Sequence, residues 1–374
     1  MSNQVFNCIA TAAFGLEGLV AEELRRLGCQ QVKAEPGGAR FCADAGQIAL
    51  ANLSLRCADR VQILLAEAPC RSFEELFQLV RQIPWEQIVP LDGKYNVSGK
   101  CVRSQLMSVR DCQAITKKAI IERLRQAAHR QTFPENGAAM PIDLHLHKDL
   151  ARITLDTSGA AFNRRGYRTW NGEAPIRETL AAALVELSGW RPEQPLYDPC
   201  CGTGTLLIEA AWSAIHRAPG LTRSFAFEAF PAFREVDLAA LRQRNREFID
   251  WDRLGSVAGS DLDPEALKLA ERHLQQAGLA GRIPLRQILL QQLQLEDQNG
   301  VFLCNPPYGE RMSDRQKCQR LYRELHQLQL RHPGWTLCAI SSDPAFERAY
   351  GRRANRKRRL YNGRLECEFL VFQP

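Results

Sequence analysis

Asn305, Pro306, Pro307 and Tyr308 follow the short apolar run "VFLC" at 301–304. Prolines have no N–H and fix φ, so this backbone is stiff and presents bare carbonyls. An exocyclic amine bonded to the Asn305 side-chain oxygen and the Pro306 carbonyl would have both N–H groups held. Its lone pair would then point at an electrophile in near-attack geometry. Conjugated amines are poor nucleophiles, so rigid acceptors that stabilise positive charge growing on the attacking nitrogen would matter. Tyr308 adds an aromatic face for a base taken out of its stack. Alone, an Asn-Pro-Pro turn after a buried strand is equally well structural punctuation; its register after a third strand–helix repeat favours chemistry.

A second constellation lies upstream. "PLYDPCCGTGTLLIEAA" (195–211) runs from a short apolar strand through an acid and a glycine-bearing turn into an amphipathic helix. Doubly wound sheets hold nucleotide-like ligands in this order, at the carboxyl end of the strand. Gly202 and Gly204 permit close backbone approach, but Leu207 stands where a dinucleotide fingerprint has its third small residue, and no Gly-Lys-Ser/Thr follows. Asp198, before the turn, would repel pyrophosphate and favours a ligand with a cationic end. S-adenosylmethionine, with its ammonium and sulfonium, fits. In "AGSDLDPEAL", Asp261 ends a strand where acids accept ribose hydroxyls, and Asp263 reads as a helix cap with Pro264 at the first helical position. The gap between Gly204 and Asp261 implies an insertion over about 217–250, whose composition, "RAPGLTRSFAFEAF", has no physical explanation in the sequence.

These residues need a scaffold. From about 173, strand patterns alternate with helix patterns, which predicts a parallel sheet covered on both faces. Asn362-Gly363 between two extended runs predicts a terminal antiparallel hairpin. Upstream, "VFNCIATA", "GLEGLVAEELRRLG" and a turn at "EPGGAR" predict a small α+β module over 1–50. A second unit over 51–157 includes a helix capped by Ser72 with Glu75 three residues on, and a basic helix at 111–129. There Ala114, Ile115, Ala119, Ile121 and Leu124 mark a buried face, freeing Lys117, Lys118, Arg123 and Arg125. Ile142, Leu144 and Leu146 alternate with Asp143, His145 and His147, a strand with one wet face on which the histidines are better read as solvated than as metal ligands. Residues 158–172 read as a linker to the last domain, 173–374.

Bulk properties bound the possibilities. The 374 residues are 45% hydrophobic and 24% charged, which fits a globular protein of two or three domains. No secretory signal or membrane-length apolar stretch is visible, so a cytoplasmic protein is expected. Thirteen cysteines without a Cys-x-x-Cys pair suit reduced, buried thiols rather than disulfides or a metal. The net charge of +7 is concentrated: 351–364 holds seven Arg or Lys and no acid, and 100–130 holds eight basic residues against two acids. Clustered positive charge suits a phosphate backbone, though either cluster alone would more simply be a solvated face.

"DPCCGTG", "GSDLDP" and "NPPYGER", in this order, resemble class I S-adenosylmethionine-dependent methyltransferases that methylate nitrogen. "RSFEELFQLVRQIPWEQI" and "SVRDCQAITKKAIIERL" resemble the THUMP RNA-binding domain. "FNRRGYR", "APIRETLAAAL", "RAPGL" and "KRRLYNGRLECEF" resemble bacterial guanine-N2 methyltransferases of large-subunit ribosomal RNA, the RlmL type. The resemblance covers essentially the whole chain. It implies a ferredoxin-like domain, a THUMP domain and a C-terminal Rossmann-like methyltransferase domain with a seven-stranded sheet, S-adenosylmethionine as cofactor and N2-methylguanosine in RNA as product. Carried across by position, Asp198, Cys200, Gly202 and Gly204 would line the methionine end and Asp261 the ribose. Asn305, Pro306, Pro307 and Tyr308 would meet the target base, and Arg177 and Glu178 fall in the helix that closes over the cofactor. Lys117, Lys118, Arg356, Lys357, Arg358 and Arg359 are the expected RNA contacts. One departure stands out: related enzymes place an acid after the third strand for the adenine amine, where this chain offers Gln287, Gln291 or Gln292. Other readings remain: an N-methyltransferase with the same corner acting on another RNA such as tRNA, or on DNA or protein, and a non-catalytic RNA-binding assembly factor.

Overall fold

The structure is a computed structural model and describes residues 4–168, 176–308 and 312–374. The chain forms two compact units: 1–12, 20–161 and 223–241 make the first, and 13–19, 162–222 and 242–374 the second.

The first unit follows the order β1 (Phe6–Thr11), α1 (Glu17–Arg26), β2 (Gln30–Glu35), β3 (Gly38–Ala43), α2 (Ala45–Ser54), β4 (Arg60–Pro69), α3 (Phe73–Arg81), α4 (Trp85–Ile88), β5 (Lys94–Val102), α5 (Val109–Ala128), β6 (Ala139–His147) and β7 (Leu150–Asp156). Its strands make one seven-stranded sheet ordered β2-β3-β1-β4-β7-β6-β5. Pairing of β1 with β4 and of β4 with β7 carries the sheet without a break across residue 50. Capping is local and legible: Ser72 accepts from the Glu75 N–H, and Asp44 and Gln47 form a reciprocal box at α2.

The buried face of α5 differs from the expected one. Cys112, Thr116, Ala119, Ile120 and Leu124 are buried, whereas Ala114 is exposed and Ile115 and Ile121 only half-buried. The observed set is a single stripe at helical spacing, and an exposed Ala costs almost nothing, so counting apolar residues alone chose a stripe turned by part of a helical turn.

Residues 223–241 answer the riddle of the insertion's phenylalanines. They belong to the first unit, where Phe227, Phe230 and Phe233 are buried and the ring of Phe233 stacks on Phe6 at 6.4 Å. Such rings bury large apolar area, so this short hook anchors itself without regular strands.

The second unit contains α6 (Glu178–Ser188), β8 (Leu196–Asp198), α7 (Thr205–Ala214), α8 (Leu238–Glu247, which begins in the first unit), β9 (Val257–Asp261), α9 (Pro264–Gln276), β10 (Leu285–Gln287), β11 (Gly300–Cys304), α10 (Met312–Arg331), β12 (Trp335–Ser341), α11 (Phe346–Tyr350), β13 (Arg356–Asn362) and β14 (Leu365–Phe372). The sheet order is β10-β9-β8-β11-β12-β14-β13, parallel through β12 and antiparallel at the β14–β13 end. The hairpin turn sits one residue later than its Asn-Gly signal suggests. Asn362 pairs with Leu365, leaving Gly363 and Arg364 in the loop, and Gly363 alone of the two has positive φ, +66°. A turn with glycine first needs only that one residue there.

The core beneath β11 and β12 is aromatic: Phe302 stacks on Trp335 at 4.5 Å, and Tyr322 and Phe346 lie 4.3 Å apart. Residues 162–168, expected to be linker, are tied down within this unit. Arg165 and Tyr167 are buried and both reach the Glu209 carboxylate of α7, Tyr167 at 3.0 Å. Residues 169–172 of that segment, and Ala174, Pro175, Gly309, Glu310 and Arg311 of the sequence motifs, lie outside the described residues.

Candidate active site

Adjacent parallel strands deliver both constellations to one edge. β8 pairs with β11 (Phe302 with Tyr197) and β9 (Asp198 with Gly259), so the glycine turn, Asp261 and Asn305 all leave the sheet at its carboxyl end. Open parallel sheets bind ligands there, where strand order reverses between β8 and β11.

The glycine turn is built for close approach. Gly202 (φ +51°) and Gly204 (φ +79°) occupy the left-handed region, and a Cβ on Gly202 would meet nothing within 4 Å. Gly204 starts α7 and faces the Cβ of Ala270, while His273 Nδ1 lies 3.1 Å from the Thr203 carbonyl. α9 thus braces the turn through Ala270 and His273, whose i, i+3 spacing on a buried face was the available signal.

The two acids are unequal. Asp261 accepts from the Gly202 N–H (2.8 Å) through one oxygen and the Asp263 N–H (3.0 Å) through the other, so it holds the turn while keeping a lone pair on each oxygen. Asp198 is buried and accepts from the Cys200 N–H at 3.0 Å. Burial, then the charge of Asp261, pushes its carboxyl well above the usual range. A buried acid lacking a cation is costly, and an ammonium group would complement it. Open space at Gly202 and this carboxylate fit a methionine end carrying an amine. The Cys200 thiol is held protonated by burial, with Cys304 next among the causes.

Other expected cofactor residues are placed as follows. Arg177 caps α6 and is exposed. Glu178 is buried against Arg168 at 3.3 Å, an ion pair directed into the protein. After β10, Gln287 donates its amide to the Leu262 carbonyl (3.1 Å), which leaves its Oε1 to accept, whereas Gln291 donates to Glu324 (3.1 Å) and Gln292 is exposed.

At the corner, Pro306 is buried, Pro307 exposed and Asn305 half-buried. The Tyr308 hydroxyl donates to Asn305 Oδ1, and burial keeps that hydroxyl protonated. An amide oxygen has two acceptor sites, so Asn305 can hold this bond and still take an amine N–H. Tyr322 of α10 donates to the Pro307 carbonyl at 2.9 Å and locks the corner from below. Sequence reasoning missed Tyr322, because its position fifteen residues after Pro307 on a core helix carries no local sign of this contact.

A cavity of about 370 Å³ adjoins the corner, lined by Tyr308, Arg315, Gln319, Ser342, Asp343 and Arg348 among others. A larger one, about 550 Å³, lies on the polar sheet face of the first unit. Its arginines are already matched there, Arg60 by Asp156 and Arg152 by Glu67. His145 and His147 share that face with rings stacked at 6.0 Å, and burial lowers the His145 pKa. No cluster of metal-ligating residues occurs among the described residues.

Of the expected RNA contacts, Lys117 pairs with Glu135 at 2.8 Å and Lys118 lies over Phe77 at 5.9 Å. Lys357 pairs with Glu347, Arg358 donates to the Gly15 carbonyl, Arg359 covers Phe14 at 5.1 Å, and Arg356 is exposed. These cations are therefore largely pre-engaged.

Family models match three segments: an RlmL ferredoxin-like domain at 7–62, a THUMP domain at 70–156, and an RMKL-like methyltransferase domain at 165–370, more than half of the chain. A curated relative, "Putative RNA methyltransferase YpsC" of Bacillus subtilis, is 38% identical over 98% of this chain and 96% of its own length. "Ribosomal RNA large subunit methyltransferase K/L" of Syntrophotalea carbinolica is 33% identical over 97% of this chain, which spans 53% of that protein. The crystal structure of SMU.472 complexed with SAH matches with a TM-score of 0.94 at 40% identity, over 99% of this chain and 98% of that one.

Proposed function

Since the chain belongs to the RMKL-like family of S-adenosylmethionine-dependent RNA methyltransferases, we propose that it methylates the exocyclic N2 amine of a guanine in large-subunit ribosomal RNA. S-adenosylmethionine supplies an electrophilic methyl carbon whose bonding electrons return to sulfur as the bond breaks. The residues of the chain do the rest. Asp198 takes the ammonium of the cofactor, Gly202 and Gly204 admit its methionine end, Asp261 accepts from its ribose, and Gln287 offers an acceptor toward adenine. Asn305 and the Pro306 carbonyl hold the two N–H groups of the target, so its lone pair forms the new N–C bond. The nitrogen becomes acidic only after the methyl has moved, and its proton passes to water, so no basic side chain is needed.

The observation that carries this reading is the delivery of Asn305 and the glycine turn to one sheet edge by neighbouring strands. RNA as the substrate class rests on the THUMP domain, and ribosomal RNA on the K/L relatives, of which this chain spans about half. Its expected place is the cytoplasm; no helix among the described residues is long and apolar enough to cross a membrane. Incubating the protein with labelled S-adenosylmethionine and unmodified ribosomal RNA tests it. Label in N2-methylguanosine is expected; label only in duplex DNA or in a protein glutamine, or tight RNA binding with no transfer, overturns it.

A further inference from the structure

The corner has a second side. β11 pairs in parallel with β12 (Cys304 with Ala339), so the corner and the segment after Ser341 leave the sheet at the same edge, and Tyr308 and Asp343 line one cavity there. On the other side of β11 lies β8 with the glycine turn. Tyr308 is the corner residue that lines the 370 Å³ cavity, so a base stacked on its ring extends into that cavity.

Its lining has the chemical variety of a nucleotide seat. Tyr308 supplies a ring face. Asp343 spends one oxygen on the Ala345 N–H (2.8 Å), is half-buried, and is near enough to Tyr322 for its charge to be felt there, which ties it to the group that locks Pro307. Arg315 and Arg348 are exposed at the same cavity.

Resting on the guanine reading above, we propose that this cavity seats the flipped nucleotide, with Asp343 accepting the guanine N1–H and Arg315 and Arg348 meeting its flanking phosphates. Guanine presents N1–H beside its N2 amine, two donors in a row. Adenine beside N6 and cytosine beside N4 present an acceptor instead. A carboxylate next to an amine-holding corner thus welcomes guanine and repels the other two, through lone-pair repulsion and an unmet acceptor. The phosphate contacts position without reading sequence.

The test first maps the guanine labelled in ribosomal RNA by the full-length protein. An RNA fragment spanning that position is then synthesised with guanine or with 2,6-diaminopurine there. The analogue keeps the C2 amine but has an acceptor at N1. Wild type should favour guanine at least about tenfold in kcat/KM, since a well-placed hydrogen bond gives roughly 10- to 100-fold discrimination. Asp343→Asn should lower transfer to guanine and raise transfer to the analogue, because an amide N–H can meet the bare N1. Joint Arg315→Ala and Arg348→Ala should raise KM for both fragments alike and lower the salt slope by up to about two. An Asp343→Asn protein that binds S-adenosylmethionine normally and keeps the wild-type preference overturns the role of Asp343. Failure of wild type to label any guanine overturns the guanine reading itself, before Asp343 is reached.

Discussion

In the proposed reaction, Asn305 and Asp198 divide the work at the scale of single residues. Asn305→Ala removes an acceptor for the target amine and touches no cofactor group, so kcat should fall by about 100-fold or more while S-adenosylmethionine affinity stays within about twofold, read by single-turnover rates and calorimetry. Tyr308 is proposed to serve both as a ring face for the base and, through its hydroxyl, as a partner of Asn305, and substitutions separate the two. Tyr308→Phe keeps the ring face and frees Asn305 Oδ1, so activity should stay within about tenfold; Tyr308→Ala should lose roughly 10- to 100-fold, the worth of one base–aromatic stack. Asp198 makes a pH prediction. Burial raises its pKa, so the folded protein holds this proton more tightly than the unfolded chain, and its contribution to stability falls as pH rises from the unfolded carboxylate range through the raised value. A cationic ligand reverses the preference, so binding should release a proton and strengthen with pH up to that raised value. Calorimetry in buffers of different ionisation enthalpy reads this directly. Asp198→Asn should abolish the proton release, weaken binding by about 2 kcal/mol or more, and raise the melting temperature of the ligand-free protein.

Elements turn these residues into a site by register. Both loops were legible because their strands announce themselves locally: an apolar run, then glycines or prolines. The clamp from Tyr322 and the placement of Asp343 were not: the first is a bond from a helix fifteen residues along the chain, and the second depends on which strand lies next to β11, a long-range pairing that no local pattern encodes. Tyr322→Phe isolates the clamp: it keeps the ring packed on Phe346 and deletes one hydrogen bond, costing about 1 kcal/mol of stability. Turnover should fall several-fold with cofactor binding unchanged; unaltered turnover would mean the prolines alone hold the corner. The same limit explains the stripe on α5, where apolar count and buried face parted company at Ala114 and Thr116. On β13, charge reversal from Arg356 to Arg359 should weaken RNA binding and flatten its salt dependence, by up to about one unit of slope for each phosphate no longer neutralised. Because Lys357 already pairs with Glu347, reversal there should cost stability as well, visible as a lower melting temperature.

At the scale of the whole molecule, the chain joins an RNA-binding domain to a methyltransferase domain, so RNA held by one is at high effective concentration for the other. The alternation that built the second unit could be read along the chain. The continuous sheet of the first unit could not, because β1 and β4 pair across what reads as a domain boundary, and Phe233 stacks on Phe6, far earlier in the chain. The measurement that bears most directly on the corner is mass-spectrometric mapping of large-subunit ribosomal RNA from a strain lacking this protein. Loss of one N2-methylguanosine, restored by the wild-type gene and not by Asn305→Ala, is the expected result. An unchanged modification map, or restoration by Asn305→Ala, would contradict a proline-stiffened corner that holds a guanine amine for methyl transfer.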